Sequence, residues 1–545
     1  RFGWLDRDQR DLTIPRFNQQ GRQAALEAAR ESMVLLKNDG ELLPLNKGKL
    51  KTIAVIGPTA YPAVPIGGGS AGVQPFVARS YLEGLSNYLG TGANVTYTRG
   101  IPSLGEMAEA TNFSTAPANG KPGLNAEYFN NETLQGTPTL TRTEQHVNFG
   151  GGSRPFPDQA ISARWTGYYV PQSAGPQDLF VQSTGEDGGA YRLYVDDKLV
   201  LDNWTTNTAL TGMATVSLDA APHKVVLEHR GRSQWLGARL KLGIIRHGQV
   251  VEADAKKLAA MADVVVVAVG FGPDTESEGA DRTFQLPPGQ DELIEEMAAA
   301  NKRTVVVITS GGGTDMSAWA ERVPAILEAW YPGQEGGTAL AEILFGEVNP
   351  SGRLPVTFGR RWEDSPVRDS YYPAGDSRRV EYKEDVFVGY RGYEKNGVKP
   401  LFPFGYGLSY TTFKYSDLSI KAVTGAPPAG TSSGPRYEVS FDVQNTGKRE
   451  GMDVAQVYVG DTHSRIPRPA KELKGFTKVS LRPGEKRRVT VMLDARSLSF
   501  YDADARRWRA EPGDFDVLVG RSSAEIELRG KLTLAGATAM AAPSK

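Results

Sequence analysis

The chain has 545 residues, of which 40% are hydrophobic and 23% charged, so it is too apolar for a disordered protein and long enough for roughly three or four domains. Its 62 basic and 63 acidic residues leave a net charge of −1, which argues against a nucleic-acid-binding or polybasic membrane-binding protein. The lack of cysteine excludes disulfides, cysteine nucleophiles and thiolate metal sites.

The first part of the chain predicts alternating helices and buried strands. Apolar residues recur at helical spacing over residues 21–40, and Gly40 is a stop signal. Continuous β-branched runs followed by glycine, typical of parallel strands covered on both faces, lie at residues 52–58, 262–270 and 304–313. A crossover helix is predicted over residues 290–302. The pattern indicates an α/β layer domain of the doubly wound kind.

Two other regions alternate polar and apolar residues instead. Stretches such as ISARWTGYYVP and AYRLYVDDKLVLDNW, between the first two strands, predict an inserted antiparallel β module, either a barrel or a sandwich. YEVSFDVQNTG and FDVLVGRS near the end predict an immunoglobulin-like or fibronectin-like sandwich. The predicted boundaries are a linker at 1–24, an α/β domain at 25–118 and 248–360, the inserted module at 119–247, a linker at 361–404, the sandwich at 405–536 and a tail at 537–545.

A glycine-rich loop follows the first strand. Gly67, Gly69 and Gly72 satisfy G-x-G-x-x-G, but a dinucleotide fingerprint needs its glycines directly after a strand and opening a helix. A nucleotide-dependent enzyme is therefore an alternative that rests on this loop alone. We favour a loop whose glycines let the backbone approach another surface or a ligand, with Ser70 offering a hydroxyl group.

An acidic loop follows the second strand, at the sheet edge where ligands of open α/β sheets usually bind. It contains Asp274, Glu276, Glu278, Asp281 and Arg282. Carboxylates crowded together raise one another's pKa, and a raised pKa suits a general acid at neutral pH. Gly279 gives the loop the freedom to present Glu278 outward. The alternative is a solvated acidic loop with a surface pair between Arg282 and Asp281.

Metal and cofactor chemistry find little support. The five histidines (His146, His223, His229, His247 and His463) show no metal-ligand spacing, and His223 and His229 are expected in strands. We expect no metal and no cofactor.

Three stretches resemble the carboxyl-terminal half of glycoside hydrolase family three, the β-glucosidase and β-xylosidase family. They are AARESMVLLKNDGELLPL, AWYPGQEGGTALAEILFGEVNPSGRLPVTF and VFVGYRGYEKNGVKPLFPFGYGLSYTTF. The inserted module, with RWTGYYVP and VVLEHR, is similar to the protective-antigen-type β-barrel found in a subset of that family. The third matching stretch resembles the segment that leads into the family's fibronectin-like domain.

The resemblance implies roles for the two loops. The family's acid/base loop reads Glu-Gly-x-Asp-Arg, which matches Glu278 to Arg282 and implies Glu278 as the proton donor. Glu276 is the fallback if the register differs by two. Gly67 to Ser70 correspond to the family's glycine–serine loop beside the pocket. The expected substrate-binding residues are Gly69, Ser70, Glu276, Asp281 and Arg282.

The resemblance also implies a partner. The family's barrel domain, which carries the nucleophilic aspartate, has no counterpart in the sequence, and we expect it as a separate or cleaved chain. The expected function is an exo-acting retaining β-glycosidase, first of all a β-glucosidase that removes terminal β-D-glucosyl residues. A non-catalytic carbohydrate-binding or scaffold protein is the alternative, and a β-xylosidase is the second. We expect no nucleic-acid or membrane partner, a homo-oligomer is compatible with the sequence, and a secreted or periplasmic location would suit polysaccharide breakdown.

Overall fold

The structure is a computed structural model that describes residue 6 and residues 18–70, 72–150, 160–184, 189–204, 211–231, 239–279, 281–373, 379–423, 434–461 and 463–540. Most of the predicted linker at 1–24 and the last part of the predicted tail, residues 541–545, lie outside the described residues. Within the described ranges, no helix is both long and apolar enough to cross a membrane.

Helices and strands alternate in two separate parts of the chain. The first part contains α1 (Gln19–Ser32), β1 (Val34–Asn38), β2 (Thr52–Ile56), α2 (Tyr81–Leu89), β3 (Asn94–Thr98), α3 (Leu104–Ala110) and β4 (Phe113–Ser114). The second contains α4 (Ala253–Met261), β14 (Val264–Gly270), α5 (Gln290–Ala300), β15 (Thr304–Thr309), β16 (Ala325–Glu328), α6 (Gly336–Phe345) and α7 (Tyr390–Lys395). Short 3-10 helices lie at Asp39–Glu41, Lys47–Lys49 and Trp362–Asp364.

The remaining strands form the two β regions. The inserted region contains β5 (Leu124–Phe129), β6 (Leu140–Glu144), β7 (Ser162–Tyr169), β8 (Gly175–Thr184), β9 (Ala190–Val195), β10 (Lys198–Asp202), β11 (Thr211–Leu218), β12 (His223–Arg230) and β13 (Arg239–Arg246). The last region contains β17 (Phe413–Val423), β18 (Arg436–Asn445), β19 (Gly451–Asp461), β20 (Glu472–Leu481), β21 (Lys486–Leu493), a 3-10 helix (Ala495–Leu498), β22 (Phe500–Asp502), β23 (Arg507–Ala510), β24 (Gly513–Gly520), β25 (Ile526–Leu534) and β26 (Thr538–Met540).

The first helix is shorter than the sequence predicts. The predicted helix runs to Gly40, whereas α1 ends at Ser32 and β1 follows at the edge of the main sheet, antiparallel to β16. Val34 and Leu36 lie in the core on one face of that sheet, and Leu35 lies in the core on the other face. Only an extended chain sends successive side chains to opposite faces, so the burial of this run on both faces ends the helix.

The main sheet is α/β and doubly wound, as predicted. Its order is β1-β16-β15-β14-β2-β3, and all neighbours except β1 and β16 are parallel. One core packs under α4 and α5, and the other packs under α1, α2 and α6. If the parallel strands β2, β3, β14, β15 and β16 are numbered 1 to 5, their order across the sheet is 2-1-3-4-5. The strand order therefore reverses between β2 and β14. Ligands of such sheets bind outside the carboxyl ends of the strands at that reversal.

The inserted strands form two sheets around one core. One has the order β10-β9-β12-β7-β5-β6 with β4 paired to β7, and the other has the order β11-β8-β13. Trp165 is fully buried in the core that the two sheets share. The opposite face of the smaller sheet packs on the α/β domain, because Phe180 lies in that domain's core and Met213 and Ile245 pack against it. The likeness to the protective-antigen-type barrel stays a prediction.

The two ends of the connector between the α/β sheet and the last β region lie side by side and are joined by backbone hydrogen bonds. Leu354 N–H donates to the carbonyl of Tyr406 at 2.8 Å, and Phe358 N–H donates to that of Phe402 at 2.9 Å. Beyond it lie two packed sheets, β17-β18-β21 and β20-β19-β24-β25, with a third small sheet β22-β23-β26. The first two sheets share one hydrophobic core, as expected for a fibronectin-like sandwich.

Candidate active site

Four loops meet at the carboxyl edge of the parallel sheet, around the reversal between β2 and β14. They follow β2, β14, β15 and β16 respectively. The sequence predicts a site from the first two loops, which carry the glycines and the acidic residues. The structure brings these two loops into contact, since Gly68 N–H donates to the carbonyl of Glu276 at 2.9 Å.

Glu276 is held by donors from three loops. Arg282 Nε donates to Oε1 at 2.8 Å, while Gly311 N–H at 2.9 Å and the Tyr331 hydroxyl at 2.6 Å donate to Oε2. Its side chain is 20% exposed and that of Arg282 is 13% exposed. A carboxylate that accepts hydrogen bonds from three loops is held in one position, so Glu276 is suited to organise the loop.

Glu278 is exposed, and its carboxylate faces the glycine-rich loop. Ser70 N–H donates to Glu278 Oε2 at 2.7 Å, and the Ser70 hydroxyl donates to the same oxygen. These bonds stabilise the ionised form, so they lower the pKa of Glu278. The expectation that neighbouring carboxylates raise this pKa is therefore wrong for this structure, because Ser70 and not another acid is the group in contact.

Glycine is required where the two loops touch. Gly69 has φ +97°, and a Cβ at this position would overlap the Cβ of Glu278. Gly68 leaves equally little room beside Ser277. The glycines thus allow a close approach of backbone to another surface, as predicted from the sequence. That surface is the acidic loop.

Arg282 and Asp281 have different partners from the pair considered in the sequence. Besides Glu276, Arg282 donates to the carbonyls of Thr283 and Gly313, both at 3.0 Å, and its guanidinium lies 4.4 Å from the centre of the Phe271 ring. Asp281 accepts a hydrogen bond from the Tyr371 hydroxyl at 3.1 Å. The alternative prediction of a surface ion pair between Arg282 and Asp281 is therefore wrong. Substrate binding by either residue stays a prediction.

Sequence reasoning missed two residues below the loop. Glu328, at the end of β16, is fully buried, and burial raises its pKa well above the usual range. It accepts hydrogen bonds from the Ser310 hydroxyl at 3.2 Å and from Trp330 N–H at 2.9 Å. Tyr331 follows in the same loop, and burial with the nearby Glu276 raises the pKa of its hydroxyl. The carboxyl-edge rule, applied to the later strands, would have pointed to both residues.

A cleft of about 960 Å³ opens beside the acidic loop. The loop contributes Asp281 and Arg282, and the connector contributes aromatic side chains: Trp362, Tyr371, Tyr372, Tyr390 and Tyr393. The connector predicted only as a linker thus forms one wall of the region around the candidate site.

One histidine meets carboxylates that the sequence does not place near it. His247 Nδ1 lies 2.8 Å from Asp178 Oδ2 and 3.6 Å from Glu292 Oε1. Among the described residues, these three form a group whose ligand atoms are close enough to hold a cation. The hydrogen bond to Asp178 raises the pKa of His247. We therefore interpret the group as an ion pair between the inserted strands and α5. His223 and His229 lie in β12, as predicted.

Two models of known protein domains match this chain. Residues 33–410 match the glycosyl hydrolase family 3 C-terminal domain, and residues 453–523 match the fibronectin type III-like domain. The chain belongs to glycosyl hydrolase family 3. Its relatives include a probable β-glucosidase I of Aspergillus terreus and a β-glucosidase of Rhizobium radiobacter, each 36% identical, which it matches over 92% and 91% of its own length.

Solved structures give the same assignment for the fold. A β-glucosidase from Streptomyces venezuelae in complex with D-glucose is 31% identical, with a TM-score of 0.71 over 96% of this chain and 62% of that one. A β-glucosidase from Kluyveromyces marxianus is also 31% identical, with a TM-score of 0.65 over 96% of this chain and 64% of that one. The chain spans 61% and 60% of the Aspergillus and Rhizobium relatives' own lengths.

Proposed function

We propose that this chain contributes to a retaining β-glucosidase and that Glu278 is its acid/base residue. The observation that carries the proposal is an exposed carboxylate, fixed by Ser70 at the carboxyl edge of the sheet beside the strand-order reversal. The relatives named β-glucosidases supply the activity and the sugar. The proposed substrate is an oligosaccharide or aryl glycoside with a terminal, non-reducing β-D-glucosyl residue.

The reaction needs two carboxyl groups. A nucleophilic carboxylate attacks the anomeric carbon while Glu278 gives its proton to the departing glycosidic oxygen, which leaves a covalent glycosyl-enzyme. Glu278 then takes a proton from water, the water oxygen bonds to the anomeric carbon, and the nucleophile is released. We assign the nucleophile to the part of the relatives' length that this chain does not span, whether on the same polypeptide or on a separate chain.

The surface around Ser70 fits such a partner. Val73, Phe76 and Val77 lie in the same loop and are 77%, 62% and 51% exposed. Large apolar side chains grouped on a surface are typical of a protein contact. A barrel-bearing segment seated here would also take Glu278 out of water, and desolvation raises the pKa of a carboxyl group towards the range a general acid needs.

The test is the dependence of Glu278→Ala on the leaving group, measured on the complete enzyme. Proton donation matters for a basic leaving group and not for a dinitrophenolate. We expect kcat/KM for phenyl β-glucoside to fall by a factor of about 10² or more, and kcat/KM for dinitrophenyl β-glucoside to change by less than about threefold. Kinetics with both substrates would be measured for Glu276→Gln in parallel.

Four outcomes would contradict the proposal. Equal losses on both glucosides would remove the acid role from Glu278. A large loss on the phenyl glucoside with little change on the dinitrophenyl glucoside in Glu276→Gln, and not in Glu278→Ala, would assign the acid role to Glu276. Saturable sugar binding by the complete protein without turnover would favour a carbohydrate-binding or scaffold protein, and faster cleavage of the aryl β-xyloside would favour a β-xylosidase.

A further inference from the structure

The outer face of the β11-β8-β13 sheet lies against the α/β domain close to the acidic loop. β8 is its middle strand, and Gln182 on β8 stands opposite Thr211 of β11 and Lys241 of β13. The side chain of Gln182 is buried, with 1% of its surface exposed. A buried amide must find hydrogen-bond partners, and these define its role.

The two ends of the Gln182 amide have distinct partners. Lys241 Nζ donates to Oε1 at 2.6 Å, and Nε2 donates to the backbone carbonyl of Asp274 at 3.1 Å. An ammonium group only donates and a carbonyl only accepts, so the partners fix which end of the amide is oxygen. Lys241 therefore orients the amide so that its N–H points at the acidic loop.

Asp274 lies at the tip of a turn that leads directly to the candidate acid/base. Thr275 N–H and Glu276 N–H both donate to the carbonyl of Gly272 at 2.9 Å, which closes the turn around Asp274. Glu278 follows four residues after Asp274. The hydrogen bond from Gln182 thus fixes the outer end of the turn, while Ser70 and the partners of Glu276 fix its inner end.

We propose that Gln182 is a positioning residue for the acid/base Glu278, so that the inserted module is part of the catalytic apparatus. This inference rests on the proposed function for its kinetic consequence. Its structural part, that a side chain of the inserted module holds the Asp274 turn in place, can be measured without any turnover. Misplacing a catalytic group by about 1 Å costs up to about 10² in rate, so the loss of one hydrogen bond at the turn is expected to lower kcat.

The experiment replaces Gln182 by Glu in the complete enzyme. The substitution keeps the size of the side chain and an acceptor for Lys241 but removes the N–H that bonds Asp274. We expect kcat for phenyl β-glucoside to fall about tenfold, with KM within about twofold, because a displaced acid/base weakens stabilisation of the transition state more than binding of the ground-state substrate. Hydrogen exchange at the amides of residues 275 and 276 should become faster. Gln182→Met, of similar length and without a donor, should behave in the same way if the Glu variant fails to fold.

The control is Thr215→Val on the same sheet face. Thr215 is exposed and its hydroxyl donates to Asp178 at 2.6 Å, away from the turn, so kcat and exchange in the turn should stay unchanged. Parental kcat and parental exchange in the Gln182 variants would overturn the inference. If the parent enzyme has no glucosidase turnover but the Gln182 variants exchange faster in the turn, the proposed function fails while the hold of Gln182 on the turn is supported.

Discussion

Glu276 and Glu278 stand two residues apart in one loop, and their environments are opposite. Glu276 accepts three hydrogen bonds, from Arg282, Gly311 and Tyr331, and is mostly buried. Glu278 is exposed and bonded by Ser70 alone among its described hydrogen bonds. The fold occupies acceptor sites on both oxygens of the first carboxylate, whereas the second is exposed and can exchange its partner for a substrate.

The two carboxylates of this short loop therefore have separate roles: Glu276 stabilises the loop, and Glu278 is available for the reaction. The fixed carboxylate holds the loop to the ends of β15 and β16, so that its exposed neighbour projects in a defined direction. If this division is correct, changes at Glu276 act on stability, and changes at Glu278 and its contacts act on turnover.

The largest effect on stability is expected for Glu276→Gln. An amide offers one acceptor oxygen where the carboxylate offers two, and its NH₂ group would face a donor. Arg282, only 13% exposed, would also lose its counter-charge. We expect a loss of about 2 kcal/mol, seen as a melting temperature lower by about 5 °C in calorimetry.

Glu278→Gln is the matched control for that measurement. Glu278 is exposed, so its substitution should lower the melting temperature far less than Glu276→Gln does, while turnover falls. Equal melting temperatures for the two variants would contradict the division between the two carboxylates.

The framework of the site could be predicted from the sequence, but this division could not. The buried runs of β2, β14 and β15 and the helix α5 follow from hydrophobic pattern alone, and so does the sheet edge where the loops meet. Glu276 and Glu278, however, are the same residue type in the same loop. Their environments differ because Gly311 and Tyr331 donate hydrogen bonds to Glu276, and these donors lie 35 and 55 residues after Glu276 in the chain.

Gln182 lies still further from sequence reasoning. Its partner Asp274 is 92 residues away, in another structural region, and the contact depends on how the inserted sheet packs on the α/β domain. An alternating strand pattern predicts which side chains share a face, but not which loop that face meets. The wrong expectation for the pKa of Glu278 has the same origin, because carboxylates that are close in sequence need not be in contact in the folded chain.

A smaller effect on kcat is expected when Gly69 and Gly279 are each replaced by alanine. The comparison distinguishes the effect of a steric contact with Glu278 from the effect of backbone strain. Gly69 has φ +97° and a Cβ there would overlap Glu278, whereas Gly279 has φ +81° and open space where a Cβ would stand. Alanine at either position takes on a left-handed backbone, which costs about 1–2 kcal/mol. Only Gly69→Ala should also displace Glu278, so we expect an additional loss of about tenfold in kcat there. Similar turnover in both variants would mean that the close contact of Gly69 with Glu278 has no catalytic consequence.

The smallest effect is expected for Ser70→Ala, which removes the hydroxyl that donates to Glu278 while the backbone N–H remains. Both bonds favour the ionised carboxylate, so losing one raises the pKa of Glu278. A general acid must be protonated, and the alkaline limb of kcat/KM should therefore move to higher pH. The depressed pKa also favours the folded state above the ordinary carboxyl pKa and loses that contribution as the pH falls through its lowered value, so the variant should be slightly less stable at neutral pH. An alkaline limb that stays in place would show that Ser70 does not set the protonation of Glu278 in the assembled site. The control is Ser277→Ala, in the same loop as Glu278.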